Sequence, residues 1–227
     1  MPVGWVAFDI GETLVDETRV WGEWADWLGI PRLTFFGALG AVIAERRHHL
    51  DVFQLVRPGF DVRAAARARG GAARGGADRW SGLEHDDLYP DALRCLSELR
   101  SRGYRLALAG NQIRGALAAL GDLGIEADVM ASSEGWGVQK PAPEFFVRLI
   151  EACGAPAADI AYVGDRIDND VLPARQAGMV AVFLRRGPWG VIQAAWPEAA
   201  HADLRIESLD ELPDALSRSR PGAPGER

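Results

Sequence analysis

Cysteine is scarce in this chain of 227 residues: Cys95 and Cys153 stand far apart and match no metal-binding or redox spacing. They read as buried thiols of a cytosolic protein rather than as a disulfide. Positive charge is also in deficit, with 25 Lys and Arg against 32 Asp and Glu and a net charge of −7. A phosphate backbone selects basic surfaces, so no nucleic-acid partner is expected. No apolar run approaches the roughly 18 residues of a membrane span, and no membrane partner is expected. The first apolar run is broken by Asp9 and has no basic segment before it, which argues against a signal peptide. There is no internal repeat. These absences describe a soluble cytoplasmic globular protein and leave monomer or homodimer open.

With 48% hydrophobic residues, the chain can bury one large core or a core with an inserted subdomain. Short apolar runs at Val3–Phe8, Tyr104–Ala109, Ile160–Val163 and Met179–Leu184 predict buried strands, with a weaker one at Ala127–Met130. Helical spacing occupies Asp91–Arg102, Ile113–Leu120, Pro143–Cys153 and Asp168–Ala177. Strands alternating with helices at this pitch imply right-handed crossovers and a parallel sheet covered on both faces. The segment 18–87 breaks the rhythm. Trp21, Trp24 and Trp27 are followed by apolar 33–43 and by Glu45-Arg46-Arg47-His48-His49, so helices are expected here and strands are not. The tryptophans read as core of this helical unit, and His48-His49 as a solvated surface. "RAAARARGGAARGGADR" (63–79) turns Gly-rich and predicts a loop, and 213–227 reads as a disordered tail.

Carboxylates mark the ends of these strands. In "FDIGETLVDE" (8–17), Asp9 ends the first one; in "YVGDRIDND" (162–170), Asp165 follows another. Gly110-Asn111 closes "YRLALA", and Lys140 lies in "GVQKPAPEFF" after the weak strand. Ligands of open parallel sheets bind beyond the C-terminal ends of the strands, so these residues are expected on one rim. Two carboxylates meeting there repel unless a cation lies between them. An all-oxygen site of one or two carboxylates suits Mg²⁺. Lys140 adds the positive charge that a bound anion needs, and an Asp so placed can act as a nucleophile. Asp168 reads as an acid at a helix start, and Asp170 serves as well for that as for a metal site.

The order Asp9…Gly110-Asn111…Lys140-Pro141…Gly164-Asp165-x4-Asp170 resembles the haloacid dehalogenase (HAD) superfamily of hydrolases, in the subfamily with a helical cap inserted after the first motif. "Leu88-Tyr89-Pro90" before a Leu-rich helix fits the return from cap to core. The resemblance implies an α/β, Rossmann-like parallel sheet core from 1–17 and 88–212, and an all-helical cap over 18–87. It implies Mg²⁺-dependent hydrolysis of a small phosphorylated molecule through an aspartyl-phosphate on Asp9. Asp9 then also ligates the metal, with the Gly11 backbone carbonyl and Asp165. Lys140 bridges nucleophile and phosphate, Gly110 and Asn111 contact the substrate, and Asp170 orders metal waters or Lys140.

Two positions depart from that family's pattern. Its first motif reads Asp-x-Asp, and the second Asp acts as general acid and base; here that place is Gly11. Losing such a group typically removes about 10²- to 10⁴-fold in rate. The second motif offers a Ser or Thr hydroxyl, and Gly110 stands there instead. Glu12 and Asp16 are the candidate replacements for the acid, although alternation along an extended segment points Glu12 away from Asp9. Cleavage of a C–P or C–halogen bond, and ligand binding without turnover, are the alternative readings.

Overall fold

The computed structural model of the protein describes residues 3–62, 64–65 and 83–218. Six parallel strands form one sheet: β1 (Trp5–Phe8), β2 (Arg105–Gly110), β3 (Val129–Ser132), β4 (Ile160–Gly164), β5 (Val180–Leu184) and β6 (Leu204–Ile206). Their order across the sheet is β3-β2-β1-β4-β5-β6. Chain direction therefore reverses its march across the sheet between β1 and β4, the kind of switch point where open α/β sheets bind ligands. Phe8 lies opposite Leu108 on one side and Val163 on the other. The ends of three central strands are thus level with one another.

Side chains alternate across β1. Val6, Phe8 and Ile10 enter one core layer, and Trp5 and Ala7 enter the other. The strands are nevertheless continuous apolar runs, because helices cover both faces. Between β1 and β2 come α1 (Thr18–Leu28), α2 (Arg32–Ala44), α3 (Asp51–Val56) and α4 (Ala92–Ser101). After β2 follow α5 (Arg114–Asp122), a single turn α6 (Ser133–Trp136) and α7 (Pro143–Cys153). The last three are α8 (Leu172–Gln176), α9 (Gly187–Gln193) and α10 (Leu212–Arg218). α4, α5 and α10 pack on the face of Phe8, through Leu96, Leu99, Leu120 and Leu216. α7 and α8 pack on the other, through Phe145, Phe146, Leu149 and Ala174.

α1, α2 and α3 form a separate apolar cluster of Trp21, Leu28, Phe35, Leu39, Val42 and Phe53, which Trp189 of α9 joins from the sheet side. Trp21 has buried ring contacts with Phe35, Phe53 and Trp189. Trp24 and Trp27 pack on each other and on Phe53 and Phe60.

Several boundaries differ from expectation. β3 begins two residues later than the sequence suggested, β6 is too short for a periodic signal, and the expected helix 168–177 opens as a π-turn over Ile167–Val171. A tail from 213 is not what forms: α10 continues to Arg218, with Leu212, Pro213, Ala215 and Leu216 buried. The remaining tail, 219–227, and nearly all of the expected loop 63–79 lie outside the described residues. Both cysteines are free and buried, and burial pushes their thiols up to about 12 and 11. No single described helix is long and apolar enough to cross a membrane.

Candidate active site

Asp9 follows β1 directly and is anchored by its own N–H, which donates to the Val163 carbonyl at 2.9 Å. Its Oδ1 accepts from Lys140 Nζ at 2.7 Å, and the same ammonium donates to Asp170 Oδ1 at 2.5 Å. Lys140 is the only lysine of the chain. Its side chain is fully buried, with Nζ 5.4 Å from the centre of the Tyr162 ring. Burial opposes its charge, but Asp170 and Asp9 outweigh that and hold the ammonium well above the ordinary lysine range.

Backbone geometry delivers these groups. The loop carrying Lys140 is clamped by Asn111, whose Oδ1 accepts from the Lys140 N–H at 2.7 Å and whose Nδ2 donates to the Lys140 carbonyl at 2.9 Å. The π-turn after β4 folds Asp170 back, so that its Oδ2 accepts from the Arg166 N–H at 3.0 Å. A Cβ on Gly164 would stand 2.5 Å from the Asp170 carboxyl carbon, so only glycine leaves room for this return. Likewise, a Cβ on Gly110 would lie 2.8 Å from Asp9 Oδ1. The hydroxyl residue expected by resemblance at 110 would displace the carboxylate from Lys140.

Asp165 completes the cluster. One oxygen each of Asp9, Asp165 and Asp170 lies within 4.8 Å of the others. Like charges about 4 Å apart repel by about 4 kcal/mol at an effective dielectric near 20, so three carboxylates facing one ammonium need more positive charge. Burial first, then Asp170 and Asp9, drives the Asp165 carboxyl well above the usual carboxylate range. Its Oδ2 is buried without a hydrogen-bond partner. Both Asp170 oxygens are already engaged, whereas Asp165 and Asp9 retain acceptor capacity. An orphaned oxygen in an all-oxygen acidic cluster fits a hard divalent cation such as Mg²⁺.

A cavity of about 600 Å³ opens over this cluster, lined by Asp9, Gly11, Asn111, Lys140 and Asp165 from the core and by Trp21, His48 and His49 from the helical side. The expected solvated pair is therefore divided: His48 is exposed, but His49 is half-buried against Trp21 and Trp189 at the cavity edge. Asp168 lines the cavity yet is paired with Arg166 Nη2 at 2.8 Å and with Gln193 Nε2 at 3.0 Å.

Of the two candidates for the missing acid, one lies off the cavity and the other lines it with both carboxylate oxygens already engaged. Asp16 Oδ1 accepts from the Thr18 N–H at 2.8 Å and does not line the cavity. Glu12, at φ +54°, accepts from Tyr89 Oη at 2.7 Å and from the Glu17 N–H at 3.0 Å. Its carboxyl lies against Gly187, and burial, followed by Glu17, pushes it up to about 7. Sequence reasoning passed over Glu17 altogether. Its buried carboxylate reaches into the space beside Gly11, and Trp21 Nε1 donates to its Oε2 at 3.1 Å. No local signal identifies it, because the turn that brings it there is closed by Glu12 N–H to Val15 O and Leu14 N–H to Ile10 O.

Comparison with known proteins agrees with this architecture. A glyceraldehyde 3-phosphate phosphatase of Methanocaldococcus jannaschii is 33% identical over 132 residues, 56% of each chain. A phosphoserine phosphatase of Thermus thermophilus is 37% identical over 129 residues, 55% of this chain and 49% of that one. The chain thus spans about half the length of the curated relatives it matches. The crystal structure of a HAD phosphatase from Thermococcus onnurineus superimposes with a TM-score of 0.57 at 25% identity, covering 95% of this chain and 98% of that one. The family model for haloacid dehalogenase-like hydrolases matches residues 3–178, and the chain belongs to that family.

Proposed function

We propose that this protein hydrolyses a small phosphate monoester through an aspartyl-phosphate on Asp9, with Mg²⁺ held by Asp9 and Asp165. The observation that carries the reading is the buried array in which one ammonium touches Asp9 and Asp170 while Asp165 Oδ2 stays unpartnered. Most buried polar atoms of folded proteins are paired, and an unpaired oxygen beside two further carboxylates marks a place for a cation. The phosphatase names of the relatives point the same way.

Asp9 Oδ1 is held by Lys140, which leaves Oδ2 to attack phosphorus. Lys140 also faces the phosphate oxygens, where its charge offsets what builds up during transfer. Asp170 keeps the ammonium aimed, and Asn111 keeps its loop in place, the part assigned to it here instead of substrate contact. When bound, Mg²⁺ supplies electrostatic stabilisation of the transferring phosphoryl oxygens. The helical side of the cavity excludes water and selects the leaving group. Gly11 borders the same cavity, and its carbonyl is a third candidate ligand.

The test uses a panel of phosphomonoesters with Mg²⁺. Turnover is expected with at least one, abolished by Asp9→Asn and by EDTA; activity indifferent to both would discard the mechanism. A thermal melt supplies an independent reading: Mg²⁺ should raise the midpoint of the wild type but not of Asp165→Asn, since a ligand stabilises only the state that binds it. Haloacid or phosphonate turnover without phosphatase activity would move the reaction to a carbon-bonded leaving group.

A further inference from the structure

Position 11 has no side chain, yet the space where one would project is filled. A Cβ built on Gly11 overlaps Glu17 Oε1 and lies 3.0 Å from Glu17 Cδ. The alternation of β1 continues through Ile10, which is buried with Val6 and Phe8. Positions 9 and 11 therefore project from the same face. A carboxylate in the volume of residue 11 stands on the side of Asp9, and Glu17 lines the cavity together with Asp9 and Gly11.

Glu17 is not there to cap its helix. It precedes α1, but its side chain makes no capping bond. Instead, Trp21 Nε1, one turn on, holds Oε2 and orients Oε1 toward position 11. The indole is fixed in turn by Phe35, Phe53 and Trp189. The carboxylate thus stands just before the helical unit and is set by that unit's aromatic core.

We infer that Glu17 is the general acid and base of this enzyme, held by Trp21 of the helical unit in the place that glycine leaves open at position 11. The inference rests on the phosphomonoester reading. In the first step, an Asp9 carboxylate oxygen bonds to phosphorus and the bond from phosphorus to the alcohol oxygen breaks. The electron pair stays on that oxygen, which takes the proton of the Glu17 carboxylic acid and departs as alcohol. In the second step, water attacks the phosphorus of the aspartyl-phosphate and gives its proton to the Glu17 carboxylate. The acyl phosphate P–O bond breaks, so that phosphate leaves and Asp9 and Glu17 return to their starting forms. Gly11 is then a requirement of the arrangement, because any larger residue there would displace Glu17.

The experiment compares wild type, Asp9→Asn, Glu17→Gln, Glu17→Ala and the double variant Gly11→Asp/Glu17→Ala, with Mg²⁺, on glycerol phosphate and 4-nitrophenyl phosphate. Glu17→Gln should lower kcat on glycerol phosphate by about 10²- to 10⁴-fold. The loss should be smaller for the release of 4-nitrophenolate, a stable anion that needs no proton. That substrate should show a stoichiometric burst followed by slow turnover, because the second step has lost its base. The double variant, which puts a carboxyl back into the same volume, should regain turnover relative to Glu17→Ala. Glu17→Gln matching wild type on both substrates without a burst would overturn this inference and leave the phosphatase reading standing. A loss on 4-nitrophenyl phosphate without a burst, and no recovery in the double variant, would overturn it as well. A wild type as inert as Asp9→Asn on both would overturn the two readings together.

Discussion

Lys140 shows how much one side chain can carry. A compact ammonium with three donors bridges two carboxylates, whereas a planar guanidinium presents its donors in one fixed fork. Of the chain's 25 basic residues it is the only lysine, and its side chain has no exposed surface. This makes its burial directly measurable. In the folded protein at mild alkaline pH, an amine-selective acylating reagent should modify the α-amino group and spare Lys140; in denaturant, both should react. Peptide mass spectrometry reads the sites, and rapid acylation of Lys140 in the native state would contradict the buried bridge. Asp9 and Asp165 were legible in the sequence because each follows an apolar strand directly and differs sharply from it, and Lys140 because it stands before a Pro-started helix in the loop after the weaker strand. Glu17 was not, because a glutamate just before a helix looks like any solvated residue until the turn at 11–15 closes.

The helices α1–α3 hold Glu17 in position, so their packing bears on chemistry as well as stability. α2 is apolar nearly all round, with Leu33 85% exposed and Phe35 fully buried, and its periodicity alone does not reveal the inward face. Phe35→Ala should destabilise the fold by about 3–5 kcal/mol, the usual range for a buried Phe. A urea titration followed by tryptophan fluorescence measures the shift; a loss below about 1 kcal/mol would mean that the cluster collapses into the gap. The strands were found to within one or two residues, because buried parallel strands are continuous apolar runs. β6, with three residues, was missed for lack of length, and the π-turn at Ile167–Val171 was missed because a widened turn has the same composition as a regular one.

Glu12 joins two stretches far off in the chain, Tyr89 on the return to the sheet and Gly187 at the start of α9, to nearby Glu17 before α1. Its carboxyl is pushed from its ordinary 4.5 to about 7, by burial first and then by Glu17, with Asp16 adding and the Tyr89 hydroxyl opposing. Because the folded value is the higher, the native state keeps a proton that the unfolded chain has already released between those values. The stability tied to this proton is complete below pH 4.5 and declines as pH rises toward about 7. Glu12→Gln should flatten that decline in metal-free protein, as measured by denaturant unfolding at pH 5 and pH 7.5. An unchanged slope would mean that Glu12 is charged throughout this range.

Local pattern by itself determined β1 to β5 and the helices that alternate with them, the parallel sheet and the strand-end acids, since hydrophobic periodicity and strand termination depend on neighbours in the chain. The tertiary structure alone decided that β1 and β4 lie side by side, that Asn111 is spent on the Lys140 backbone, and that Glu17 fills the space beside Gly11. Those facts depend on the paths of turns and on side-chain volumes meeting across dozens of residues, which no window along the chain contains.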